Sequence, residues 1–169
     1  MTDKNPLLTI RPATEFDLDE IAGIHCAAAL TAFANIFPPT APKPTPTSLR
    51  PRWQRLIDDP AATVLVAETN GVDGCVALRP ESAVPSGTLL DGLYVHPRNW
   101  GAGIGIALHD AIVDVATEQV ATAINLWVLE DNSRARAMYE RRGWKLVPGR
   151  KLANEPETVI DVLYQLTIT

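Results

Sequence analysis

The stretch "RNWGAGIGIALHDAIV", residues 98–113, sets glycines at 101, 103 and 105 between an apolar run that ends at Pro97 and a segment of helical periodicity. Ile104, Leu108, Ala111, Ile112 and Val115 fall on one face of that segment, so a helix begins there, at "IGIALHDAIVDVA". The N–H groups of a helix's first turn have no intrahelical partners, and the positive end of the dipole points at them. With Cβ atoms missing beside them, a bulky phosphate comes close enough to be bound. Glycines also serve a tight strand-to-helix turn, but three alternating glycines exceed what a turn needs. A nucleoside triphosphate loop would have Lys-Ser or Lys-Thr after the glycines, and none follows. A dinucleotide fingerprint is spaced G-x-G-x-x-G, whereas Gly101, Gly103 and Gly105 run G-x-G-x-G.

Outward from this loop the chain alternates strands and helices. "LLTIRPAT" reads as a first strand over about residues 7–11, and Leu18, Ile21, Ala22, Ile24 and Cys26 recur as a helix started near Thr14 and Asp17. Five prolines between residues 38 and 46 then make a stiff surface loop, because each lacks a backbone donor. "SLRPRWQRLIDD" forms a second helix through Trp53, Leu56 and Ile57. "ATVLVAE" and "GCVALRP" pair as a hairpin, with Asn70-Gly71 predicting a tight turn of positive φ. "TLLDGLYVHP" is the strand before the glycine loop, and "INLWVLEDN" the strand after its helix, which makes a strand-helix-strand crossover. A last helix, "SRARAMYERRG", stops at Gly143 and is followed by strands in "WKLVPGR" and "TVIDVLYQLTI". The order β-α-α-β-β-β-α-β-α-β-β predicts a mixed sheet with helices on both faces.

With 169 residues the chain suits one domain that buries one substantial core without disulfides or metal. Cys26 and Cys75 lie far apart and the three histidines are scattered, so no metal site is implied. A net charge of -5 with dispersed Lys and Arg argues against nucleic acid as partner. No apolar run approaches the ~20 residues of a membrane helix. Asp3, Asn5 and Pro6 interrupt any export signal, and the expectation is a cytoplasmic protein.

Two segments carry a family resemblance. "LYVHPRNWGAGIGIALHDA" resembles the acyl-CoA-binding segment of the GNAT superfamily of N-acetyltransferases, V-x-P, two residues, then [Q/R]-G-x-G-[I/A]-G and a helix, at Val95, Pro97, Gly101, Gly103, Ile104 and Gly105. "LWVLEDNSRARAMYERRGW" is similar to the family's next motif at Val128, Asn132, Ala135, Tyr139, Glu140, Arg141, Gly143 and Trp144, and "TIRPATEFDLDEI" to its opening strand and helix. The resemblance covers about residues 7–167 as a single domain. It implies an α/β (α+β) fold: a mixed, mostly antiparallel sheet of about seven strands flanked by about four helices. It also implies acetyl-CoA as cosubstrate, held by the backbone of Leu93, Tyr94 and Val95 and by the loop Trp100, Gly101, Ala102, Gly103, Ile104, Gly105 and Ile106. Trp100 stands where the family usually has Gln or Arg, which affects one side-chain contact while the backbone amides of the loop are kept.

Asn132 and Tyr139 are seven residues apart, about two helical turns, so they share one face with small Ala135 between them. By resemblance Asn132 bonds the pantetheine arm and Tyr139 is the general acid that protonates the departing sulfur. Read locally, Asn132 is as good a helix N-cap and Tyr139 a core aromatic. The N–H groups of the strand at Leu93–Val95 would polarise the thioester carbonyl, since in the family this strand parts from the next one. The base that frees the amine is weakly marked: Glu68, Asp91 and Glu130 fall near strand ends, Asp91 is preferred, and His96 reads as solvated. The expected activity is acetyl transfer from acetyl-CoA to a primary amine by direct attack. The alternative is a catalytically silent acyl-CoA sensor that regulates a partner. The acceptor has no readable signature, and a homodimer is compatible with the resemblance.

Overall fold

The computed structural model describes residues 7–169; residues 1–6, on which the expectation about an export signal rests, lie outside the described residues. One seven-stranded sheet runs through the molecule in the order β1-β2-β3-β4-β5-β7-β6. Its strands are β1 Thr9–Pro12, β2 Thr63–Glu68, β3 Val72–Pro80, β4 Thr88–Val95, β5 Ala123–Leu129, β6 Lys145–Ala153 and β7 Ile160–Thr167. Neighbours pair antiparallel except β4 and β5, which are parallel and joined by the crossover helix α3, Ile104–Glu118. The expected mixed, mostly antiparallel sheet with four α-helices is the observed fold.

Helices cover both faces, and the strand alternation explains how. Leu65, Ala67, Val76 and Leu78 point to one face, where they pack with Ile104, Leu108 and Ile112 of α3 and with Trp144. Val64, Val66, Cys75 and Ala77 point to the other, against Leu18, Ile21 and Ile24 of α1 (Leu18–Ala32) and Trp53 and Leu56 of α2 (Pro46–Asp58). Because both faces are covered, β3 is buried from Val72 through Leu78. The remaining helix α4, Ser133–Arg141, is tied to β7 through Tyr164, whose hydroxyl donates to Glu140 Oε1 at 2.6 Å and accepts from Arg136 Nε at 2.9 Å. That contact accounts for the glutamate of "YERRG".

Two local expectations are corrected. The proline-rich loop ends one residue early: Pro46 is the first residue of α2, where its missing N–H costs nothing, and Thr45 caps the helix by accepting from Ser48 N. The hairpin of β2 and β3 forms, but neither Asn70 nor Gly71 has positive φ. The turn closes instead on Thr69 N–H to Gly71 O, a bulge at Ala67–Glu68, and a bond from Val72 N–H to Glu20 Oε2 of α1. A tertiary carboxylate thus overrides the local preference for a two-residue turn.

Candidate active site

The parallel pair β4–β5 touches in register at a single point, Leu89 opposite Asn125. Asn125 is fully buried there, its amide donating to Tyr164 O and its oxygen accepting from Ser86 N, so the base of the fork is pinned. Beyond it β4 turns away. The register against β3 shifts between Val76 and Leu78, so Asp91 and Gly92 form a bulge, and Gly92 has φ +109°. The result is an open cleft of about 1200 Å³ between β4 and β5, reaching from the glycine loop to the connection between α1 and α2.

His96 N–H donates to Asp73 O of β3. By the strand period of two, the N–H groups of Leu93 and Val95 therefore point into the gap and that of Tyr94 points to β3. Tyr94 contributes its ring instead, stacked at 3.9 Å on His25 of α1. At the mouth of the gap the short 3₁₀ turn Pro97–Asn99 leads into the loop, where Gly101 and Gly103 have φ +81° and +82°. Two of the three glycines thus make the turn itself. Gly103 is the N-cap of α3 and has no side chain to satisfy the first-turn N–H groups, while Gly105 lies in ordinary helical backbone with the cleft before it. Trp100, Gly101, Ile104 and Ile106 also line the cleft; Ala102 faces away from it, and its N–H already donates to Asn99 O. His96, read as solvated, takes Arg98 N–H on its ring Nδ1 outside the cleft.

Trp100 has two ties. Its Nε1–H donates to Val95 O at 2.8 Å, and the guanidinium of Arg134, at the start of α4, lies 4.3 Å over its ring. A cation thus stands beside the glycine loop although the loop itself carries none. Asn132 is the N-cap of α4, its Oδ1 accepting from Ala135 N, and it lines the cleft as well.

Tyr139 is buried on the cleft wall, edge-on to Trp144 at 5.7 Å. Trp144 is in turn held by its Nε1–H to His109 Nε2 at 2.9 Å. The Tyr139 hydroxyl has no protein partner among the described residues, and burial, with Tyr94 nearby, raises its pKa well above the usual phenol value. Asp91 lines the cleft too, but both its oxygens are taken, by Arg52 Nη2 and by Arg79 Nε, each at 2.6 Å. Glu68 pairs with Arg11 and Glu130 with Lys151, and neither lines the cleft.

Two chemically active side chains of the cleft escape the sequence reading. Asp161, on β7, is one; His25 is the other. Trp53 Nε1 can only donate, so His25 Nδ1 accepts from it at 3.1 Å and the ring proton sits on Nε2. Burial first, and then the Arg52 charge, lower the His25 pKa from 6.5 to about 4, with Asp91 opposing. The unfolded chain therefore takes up a proton first as pH falls. The stability held by neutral His25 is complete above 6.5 and is lost between 6.5 and about 4, an effect of order 3 kcal/mol. Urea midpoints should fall over that window in the wild type and fall less in His25→Gln; equal losses in both would remove His25 from the acid response.

Residues 30–144 match the model of the "Acetyltransferase (GNAT) family". The chain belongs to the GNAT acetyltransferase family. As a GNAT enzyme it uses acetyl-CoA as cosubstrate. The GNAT fold is equally clear from solved structures. PaiA N-acetyltransferase of Thermoplasma acidophilum, in complex with coenzyme A, superposes with a TM-score of 0.75 at 17% identity over 96% of this chain and 99% of that one. Ribosomal-protein-alanine N-acetyltransferase from Brucella melitensis gives 0.74 at 21% identity over 95% and 99%, and the ribosomal-protein-S18-alanine N-acetyltransferase from Escherichia coli 0.70 at 18% over 96% and 95%. No curated protein matches the chain in sequence. Among the described residues no helix is long and apolar enough to cross a membrane, and no cluster of His, Cys, Asp and Glu is arranged to hold a metal.

Proposed function

We propose that this GNAT enzyme acetylates a primary amine by direct attack on acetyl-CoA, with Tyr139 as the acid that protonates the departing sulfur. The observation that carries the reading is the free Tyr139 hydroxyl, set in the gap between β4 and β5 that joins the glycine loop to a second, apolar opening. The pyrophosphate lies at the first turn of α3, the pantetheine runs between the strands with Asn132 beside it, and the N–H groups of Leu93 and Val95 face the thioester. On the far side Phe33, Phe37, Pro38, Pro39, Pro42 and Pro44 form the wall an acceptor meets, which suits an amine on an apolar body. Thiol release from acetyl-CoA over a panel of amines tests the reading. Stoichiometric binding with no release from any of them is the signature of the sensor alternative.

In the same reading Arg134, held flat by Trp100, supplies the cationic phosphate contact that the loop lacks. Arg134→Ala should weaken coenzyme A binding about tenfold, ~1.4 kcal/mol, with a shallower salt dependence, and Trp100→Ala should reproduce part of the loss. The double variant should lose no more than Arg134→Ala, and turnover of acetyl-pantetheine, which has no phosphates, should not change. Equal losses with acetyl-pantetheine would assign the pair to structure.

A further inference from the structure

We infer that Asp161 of β7 is the group that takes the proton from the acceptor's ammonium. The inference rests on the transferase reading above. A direct attack needs a neutral amine, and among the described residues only two carboxylates line the cleft, Asp91 and Asp161. Asp91 is bound on both oxygens by guanidinium groups, so a proton arriving there displaces an ion pair. Asp161 has no Lys or Arg within 4.0 Å among the described residues, accepts one bond from Asn154 Nδ2 on Oδ2 at 3.0 Å, and keeps Oδ1 without a protein partner. Of the cations that line the cleft, Arg52 of α2 pairs with Asp91 and Arg134 lies over the Trp100 ring, while Lys43 and Arg141 come no closer than 4.0 Å to Asp161; Lys151 of β6 pairs with Glu130. Tyr94 of β4, a phenol that burial pushes up to about 12, also feels the Asp161 charge, which reaches it from the β7 side of the cleft. Burial raises the Asp161 pKa from the ordinary carboxylate value, with the Asn154 bond opposing, and so makes it a better proton acceptor than a solvated aspartate.

The step balances without a further reactant. The ammonium gives one proton to the Asp161 carboxylate, and the neutral nitrogen attacks the thioester carbon. The C–S bond then breaks as sulfur takes the Tyr139 proton, and the amide nitrogen's remaining excess proton restores the tyrosine. Asp161 finally passes its proton to water.

The discriminating experiment compares benzylamine, protonated at neutral pH, with aniline, already neutral. Asp161→Asn should lower kcat/KM for benzylamine by about 10²-fold or more at pH 7, leave aniline turnover close to wild type, and leave the affinity for acetyl-CoA unchanged. Asp161→Glu, which keeps a carboxylate, should retain more benzylamine turnover than the amide. Equal losses for both amines, or none for benzylamine, overturn the assignment while leaving the transferase reading in place. Absence of thiol release by the wild type from every amine overturns the transferase reading, and this assignment with it.

Discussion

Tyr139→Phe should lower kcat for acetyl transfer by about 10²-fold or more while leaving acetyl-CoA affinity at the wild-type value. The substitution removes one hydroxyl that bonds to nothing among the described residues, and the ring keeps its edge-on packing on Trp144. Stability should therefore hold. The effect is specific to the departure of sulfur: a phenol whose pKa burial holds high is a poor acid in water, but a thiolate forming in the same low-dielectric gap is made more basic by the same desolvation. Proton and charge are then exchanged between matched partners. The check is steady-state kinetics beside a direct binding measurement. Unchanged turnover in Tyr139→Phe would end the acid assignment, and a matched loss of binding would make Tyr139 a cofactor contact only.

Gly92→Val should cost several kcal/mol of stability and most of the acetyl-CoA binding together. Gly92 has φ +109°, which a β-branched residue adopts only under strain of ~1–3 kcal/mol. Its Cβ would also lie 2.9 Å from Cε2 of Tyr94, so the ring would have to give up its stack on His25. Overpacking adds ~1–3 kcal/mol, and the sum corresponds to roughly 10 °C in Tm for a chain of this size. The loss of binding follows from geometry. The bulge at Asp91–Gly92 bends β4 away from β5, and a relaxed variant that straightens the strand closes the gap the pantetheine needs. Thermal unfolding and coenzyme A titration measure both effects, and a variant with wild-type Tm would show that the bulge is not held by glycine.

Much of this site was readable along the chain because its signals are local. The glycine spacing, the apolar face of α3 and the two-turn separation of Asn132 and Tyr139 all depend on neighbours within a few residues; Gly101, Gly103, Gly105, Asn132 and Tyr139 line the cleft, while Leu108 and Ile112 of α3 pack in the core. Asn132 serves as the N-cap that local reading offered, and its place on the cleft wall leaves the second use open. Gly92 carried a usable signal as well, since a lone glycine within a strand pattern marks a bulge, but it was read as part of an unbroken strand. Asn70-Gly71 misled because Glu20, far off in sequence, bonds the residue that closes the turn.

The base shows where local reading stops. From sequence the candidates are Glu68, Asp91 and Glu130, all near strand ends, with Asp91 preferred, and Asp161 is not among them. The difference between Asp91 and Asp161 is a matter of partners: Arg52 reaches Asp91 across 39 residues and Arg79 across 12, while among the described residues no Lys or Arg comes within 4.0 Å of Asp161. The sequence by itself determined the order of strands and helices, the glycine loop that opens α3 and the face bearing Asn132 and Tyr139, because backbone periodicity and missing Cβ atoms act over a few residues. Only the tertiary structure decided that Trp100 holds Arg134, that His25 stays neutral under Tyr94, and which carboxylate is left free. Coulomb pairing and desolvation depend on distances through space that spacing along the chain does not encode.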